Sequence, residues 1–156
     1  MALIIRDARA RDADSIGELA QQFANYLQGL GDRTDFKLTA ETYLRDGFGA
    51  IPAFAGIVAE EEGKVIGYLL YHFGYDSDRA ARTLHIADLY VEGSKRNRGA
   101  GKALMAEAAK IAREAGADEM IWSVYHPNEL AARFYEKMGA QRISDVFFMK
   151  LKADGV

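Results

Sequence analysis

Thr83-Leu84-His85-Ile86-Ala87-Asp88-Leu89-Tyr90-Val91, followed by Arg96-Asn97-Arg98-Gly99-Ala100-Gly101 and an alanine-rich run to Ala115, is the stretch that decides the fold. Its first segment, rich in β-branched and aromatic residues, reads as a strand. From about Gly99 to Ala115 the residues Leu104, Ala108, Ile111, Ala112 and Ala115 form one helical stripe, and Gly116 stops the helix. Gly99 and Gly101 let backbone approach a ligand with no Cβ in the way. The helix start offers unpaired N–H groups at the positive end of its dipole. Lys95, Arg96, Arg98 and Lys102 crowd positive charge around it. A phosphate or pyrophosphate suits this loop, although a solvated glycine turn with basic side chains would read the same way in isolation.

Outward from the loop, elements alternate. Leu3 to Arg6 reads as a first strand, and the spacing of Ile16, Leu19, Ala20, Phe23 and Leu27 predicts a helix capped by Asp12 or Asp14. Thr39 is the predicted cap of a second helix that stops near Gly47. Phe54 to Ala59 and Lys64 to Phe73 read as a hairpin turning at Glu61-Glu62-Gly63. After the central helix come a strand over Glu119 to Val124, a helix over Asn128 to Met138 stopped by Gly139, and closing strands over Arg142 to Leu151. The expectation is an α/β fold, a mixed sheet flanked by helices, in a single domain over 1–156.

Several functions are disfavoured by composition. A net charge of -3 argues against broad nucleic-acid binding, which needs a basic face. No apolar run approaches the ~20 residues of a membrane span. Met1 to Arg6 is too short for a signal-peptide core. With no cysteine there is no disulfide framework, thiolate nucleophile or cysteine metal site, and a cytoplasmic location is the default expectation. No metal is expected, because His72, His85 and His126 lack ligand spacing.

Two nucleotide-binding motifs fail on spacing. A P-loop needs glycine where Arg96 stands and Ser or Thr where Ala103 stands; a dinucleotide fingerprint needs a small residue where Leu104 stands. Arg96-x-x-Gly99-x-Gly101 instead resembles the R/Q-x-x-G-x-G/A loop of the GNAT N-acetyltransferase superfamily. Asn128-x-x-Ala131-x-x-Phe134-Tyr135 with Gly139 resembles that family's second signature, in the expected order. Asp46-Gly47-Phe48-Gly49, Val65-Ile66-Gly67-Tyr68 and Asp88-x-x-Val91 extend the resemblance to the spermidine/spermine (diamine) acetyltransferase branch, from about Leu38 to Gly139.

The resemblance implies acetyl-CoA as cosubstrate and a primary amine of a small molecule as acceptor, in a homodimer. It also implies a bulged strand whose backbone at Leu89, Tyr90 and Val91 holds the pantetheine arm and polarises the acetyl carbonyl. Arg96 to Lys102, with Asn97 between the arginines and Ala100 between the glycines, then hold the pyrophosphate. Asn128 and Ala131 would meet pantetheine, Asn128 being equally a helix cap.

Tyr135 matches the family's acid: a phenol of pKa ~10 stays protonated at neutrality and can donate to a thiolate. Without the motif, Phe134-Tyr135 would read as helix core. The base is less conventional, because Ala87 stands where the diamine branch has glutamate. His85, two residues earlier on the same strand face, is the candidate, with Asp88 or ordered water as alternatives. Asp76 and Asp88 are candidate amine-binding residues, Asp76 also reading as part of a solvated turn. The segment Gln28-Gly29-Leu30-Gly31-Asp32-Arg33 is less acidic than in the diamine branch, which weighs against a polycation. A protein acetyltransferase and, given Ala87, a non-catalytic acyl-CoA-binding module are the competing readings.

Overall fold

The computed structural model describes residues 2–155, so Met1 and Val156 fall outside the description. The chain forms two compact units, Met1–Ser123 and Val124–Val156.

The first unit contains β1 (Leu3–Asp7), α1 (Ala13–Gly29), α2 (Ala40–Gly47), β2 (Ala55–Glu61), β3 (Lys64–Asp76), β4 (Ala81–Val91), α3 (Ala100–Glu114) and β5 (Ala117–Ile121). The sheet runs β1-β2-β3-β4-β5. Its first three pairings are antiparallel and β4 with β5 is parallel. The predicted mixed α/β architecture is therefore what forms.

Local chemistry explains the boundaries. Glu62 and Gly63 both take positive φ, 53° and 77°, the two-residue turn whose twist suits a hairpin. Thr39 caps α2, its hydroxyl accepting from the Thr42 N–H at 3.2 Å. Asp12 stands at the α1 cap position but makes no side-chain cap bond. Its carboxylate is taken instead by both terminal nitrogens of Arg6, at 2.9 Å each, and by the Arg9 N–H at 2.8 Å.

The sheet buries both faces. Ile16, Leu19 and Ala20 of α1 and Tyr43 of α2 pack with Val58, Tyr68, Leu70 and Tyr90. Gly17 makes this possible, since a Cβ there would lie 2.9 Å from the Ala40 nitrogen. The alternate residues Ile57, Leu69 and Leu84 are also buried, on the face covered by Leu104, Met105 and Ala108 of α3.

The second unit carries α4 (Glu129–Lys137), ended by Gly139 at φ 97°. Asn128 caps it, Oδ1 accepting from the Ala131 N–H at 3.3 Å. The predicted closing strands over 142–151 do not form: no strand follows β5 among the described residues. Ile143, Val146, Phe147, Phe148, Met149 and Leu151 are exposed instead. Strand propensity is mostly packing against neighbours, and these apolar side chains lie exposed.

Candidate active site

The site in the first unit begins with a register shift. Leu70 stands opposite Asp88 while Tyr71 stands opposite Ile86, so Ala87 is one extra residue, a β-bulge. In a regular strand His85 and Asp88 would face opposite ways. With Ala87 interposed, His85, Asp88 and Tyr90 share the face of their β3 partners His72, Leu70 and Tyr68. The same stretch of β4 leaves β5 behind: parallel pairing ends at His85 with Ile121, while β4 continues to Val91. Leu89, Tyr90 and Val91 thus lie beyond the last β5 partner, and an extended ligand can pair there as a strand would.

The glycine loop follows. Asn97 and Gly99 adopt positive φ of 64° and 90°, and α3 starts with no side-chain cap. Its first intrahelical bond is Ala103 N–H to the Gly99 carbonyl at 2.9 Å, so the N–H groups of Ala100, Gly101 and Lys102 have no acceptor within the helix. A Cβ on Gly99 would meet nothing within 4 Å, so open space lies over the loop. Arg98 and Ala100 also line a cavity of about 290 Å³ with Leu3, Glu61 and Ile66.

The loop's cations are individually placed. Lys95 Nζ meets Glu61 Oε1 at 3.0 Å and Arg98 lies 3.7 Å from the same oxygen. The Lys95 bond, first of all, holds the Glu61 carboxyl below its usual range. Arg96 folds back: its guanidinium lies 5.2 Å from the centre of the Tyr26 ring and 5.1 Å from that of Tyr90, and Nε donates to the Val91 carbonyl at 3.1 Å. Arg96 therefore braces the loop against α1 and β4.

Two pairs of side chains occupy the bulged face. The rings of His85 and His72 stack with centroids 4.7 Å apart and planes 15° apart. Burial, then the nearby His72, lowers the His85 pKa, which keeps the imidazole neutral and able to accept a proton. Asp88 accepts from the hydroxyl of the fully buried Tyr68 at 2.6 Å. Burial pushes the Asp88 carboxyl up to about 6, against the opposing pull of the Tyr68 hydroxyl and the Leu89 N–H. Asp76 lies elsewhere, in the turn after β3. Its carboxylate accepts from the Asp78 N–H at 3.0 Å and pairs with Arg79 Nε at 3.0 Å. The Arg79 N–H foremost holds that carboxyl low.

In the second unit Asn128 and Ala131 are joined by the capping bond of α4. Tyr135 packs edge-on against Phe134, centroids 5.2 Å apart.

A bulged strand parting from its neighbour, a glycine loop and an uncapped helix start thus follow one another along the first unit. Residues 5–140 match the acetyltransferase (GNAT) family. The chain belongs to that family. A thialysine N-epsilon-acetyltransferase from Bos taurus is 30% identical over 151 residues, covering 92% of this chain and 86% of that protein. The human spermidine/spermine N(1)-acetyltransferase-like protein 1 is 31% identical over 150 residues, 90% of this chain but 21% of that longer protein. Among solved structures, an integron cassette protein from the mobile metagenome of V. cholerae superposes with a TM-score of 0.80 at 24% identity, over 99% of this chain and 95% of that one. This GNAT protein is an acetyl-CoA-dependent acyltransferase, and the reaction of its family is acetyl transfer to an amine.

Two residues that the fold places beside the candidates His85 and Asp88 escape a linear reading of the sequence. Tyr68 sits in a run of buried apolar residues, and only its bond to Asp88 distinguishes it from core. His72 gains meaning from standing opposite His85. Counting pairs back from a β3–β4 turn would have found it, had the turn been fixed.

Proposed function

We propose that the protein transfers acetyl from acetyl-CoA directly to the primary amine of a small acceptor, amino-acid-like or diamine-like, in a ternary complex. The observation that carries this is the bulged half of β4, which faces an opening beyond β5 while turning His85 and Asp88 to one side. The names of the curated relatives, a thialysine and a spermidine/spermine-like acetyltransferase, support a small amine. The sparse charge of the bulged face, one carboxyl with a raised pKa beside two imidazoles, favours an acceptor with a single ammonium over a polycation.

The residues fit acetyl-CoA. The N–H groups of Gly99, Ala100, Gly101 and Lys102 would take the pyrophosphate, with Arg98 and Lys102 adding charge and Arg96 and Asn97 shaping the loop. Leu89, Tyr90 and Val91 would take the pantetheine arm, and Asn128 and Ala131 its amides. Acetyl-CoA supplies an activated thioester carbonyl when bound. Asp88 holds the acceptor ammonium, His85 removes its proton, and Tyr135 donates a proton to the departing thiolate. Asp76, already paired with Arg79, plays the smaller part in acceptor binding.

A homodimeric, single-domain cytoplasmic enzyme is the form this reading takes. The exposed apolar run from Ile143 to Leu151 supports a second copy as its cover. Among the described residues no helix is long and apolar enough to cross a membrane.

The test is CoA release from acetyl-CoA with purified protein over amino acids, diamines, polyamines, aryl amines and peptides. Turnover is expected with amino-acid-like and short diamine acceptors. CoA binding without release across the panel would sink the reading, and turnover confined to peptides would replace the acceptor. Tyr135→Phe should lower kcat by about 10²-fold.

A further inference from the structure

His72 has no place in the proton transfers above, yet it is the nearest ring to the proposed base. It stands directly opposite His85 across the β3–β4 ladder. The two rings are stacked, 4.7 Å between centroids and 15° between planes. The His72 ring is itself oriented, with Nδ1 3.4 Å from the Phe73 carbonyl oxygen. Stacked imidazoles turn their faces to one another, so neither can hydrogen-bond or pass a proton to the other through its ring nitrogens. What the stack transmits is orientation and charge.

We propose that His72 is a positioning residue for His85: its stacked ring holds the His85 imidazole in place, and positive charge on either ring opposes positive charge on the other. The other charged groups on this face leave that pairing undisturbed. Asp88, on the same strand, is engaged by the Tyr68 hydroxyl. Asp76, further along β3, is paired with Arg79. On β5, Glu119 follows the same face and its carboxylate is also held by Arg79, at 3.2 Å. His85 stands opposite Ile121, an apolar residue, on that strand. His72 is thus the titratable ring in direct contact with His85, consistent with its part in lowering the pKa of that base.

The arrangement also belongs to the departure at Ala87. The face that lacks a second carboxylate carries a second imidazole, stacked on the first. The inference rests on His85 acting as base, so the experiment reads the pair and the base separately.

The pair is read by NMR titration of the histidine Cε1–H signals, assigned with His85→Gln, in wild type and His72→Phe. Phenylalanine keeps a ring for stacking and similar burial but removes the charge. The His85 midpoint is expected to rise by about half a pH unit, the size of the interaction between unit charges ~5 Å apart in water. The acid limb of kcat/KM should move upward with it. An unchanged His85 midpoint overturns the electrostatic coupling. His72→Ala, which removes the ring, should lower kcat about fivefold through loss of orientation; an undiminished kcat overturns the positioning role. Should the NMR coupling hold while His85→Gln keeps full turnover, the base assignment fails and the coupled pair stands.

Discussion

Asp12 and Asp88 are both carboxylates enclosed by the first unit, and their protons behave in opposite ways. Asp12 lies under Arg6, whose guanidinium also reaches Glu60 at 2.8 Å, and it takes the Arg9 N–H. Burial, the largest influence, would raise its pKa, but the Arg6 hydrogen bonds and charge outweigh it and the carboxyl titrates low. Asp88 is half-buried beside a phenol and a backbone N–H, with no cation among the partners that shift it, and desolvation of its carboxyl wins. The first arrangement joins β1, β2 and the start of α1; the second leaves a group poised to change charge near neutrality. Pairing with a cation keeps the first carboxyl ionised, and without one desolvation governs the second.

The contrast can be broken most sharply at the functional end. His85→Gln is expected to lower kcat by about 10²-fold while leaving thermal stability in place, as steady-state kinetics and a melting curve would record. Full turnover in that variant would remove His85 as base. At the structural end, Asp12→Ala leaves Arg6 with Glu60 alone and the Arg9 N–H without its acceptor, which should cost about 3 kcal/mol in urea unfolding. Its KM for acetyl-CoA should stay at the wild-type value, since none of the groups it strands belongs to the loop. Gly99→Val sharpens the comparison from the loop side. A side chain at φ 90° in open space should raise the KM for acetyl-CoA about tenfold, with little change in kcat at saturation.

The smallest effect is in the sign of pH dependence. Asp12 has a depressed folded pKa, so its stabilisation is present at neutral pH and is lost as pH falls below the model-peptide range of ~3.9 through the folded value. Asp88 has a raised one, so its charge costs stability at neutral pH, and that cost is relieved as pH falls through about 6. Asp88→Asn should therefore be more stable than wild type at pH ~7 and equal to it near pH ~4. Asp12→Asn should be less stable at neutrality, the gap narrowing only in stronger acid. Equal slopes for both variants in chemical unfolding across that range would erase the distinction.

Much of this was legible in the sequence because it is written locally. The strand–loop–helix from Thr83 to Ala115, the Thr39 cap and the Glu62-Gly63 turn each depend on residues a few positions apart. The stacking of His72 on His85 depends instead on the register of two long strands, which no local pattern fixes. Arg96 looks like a phosphate ligand in the motif, and only the fold puts Tyr26 and Tyr90 around its guanidinium. Residues 143–151 carry strand-forming side chains but no ladder, since composition records a preference for packing and not the surface that satisfies it.

Ala87 has a consequence that can be put in genetic terms. It is the one residue between Ile86 and Asp88 with no opposite number on β3, so a single-codon deletion would leave every other side chain of β4 on its present face. What that codon encodes is curvature. A lineage that lost it would keep each of those faces, while β4 lost the bend that the extra residue gives it.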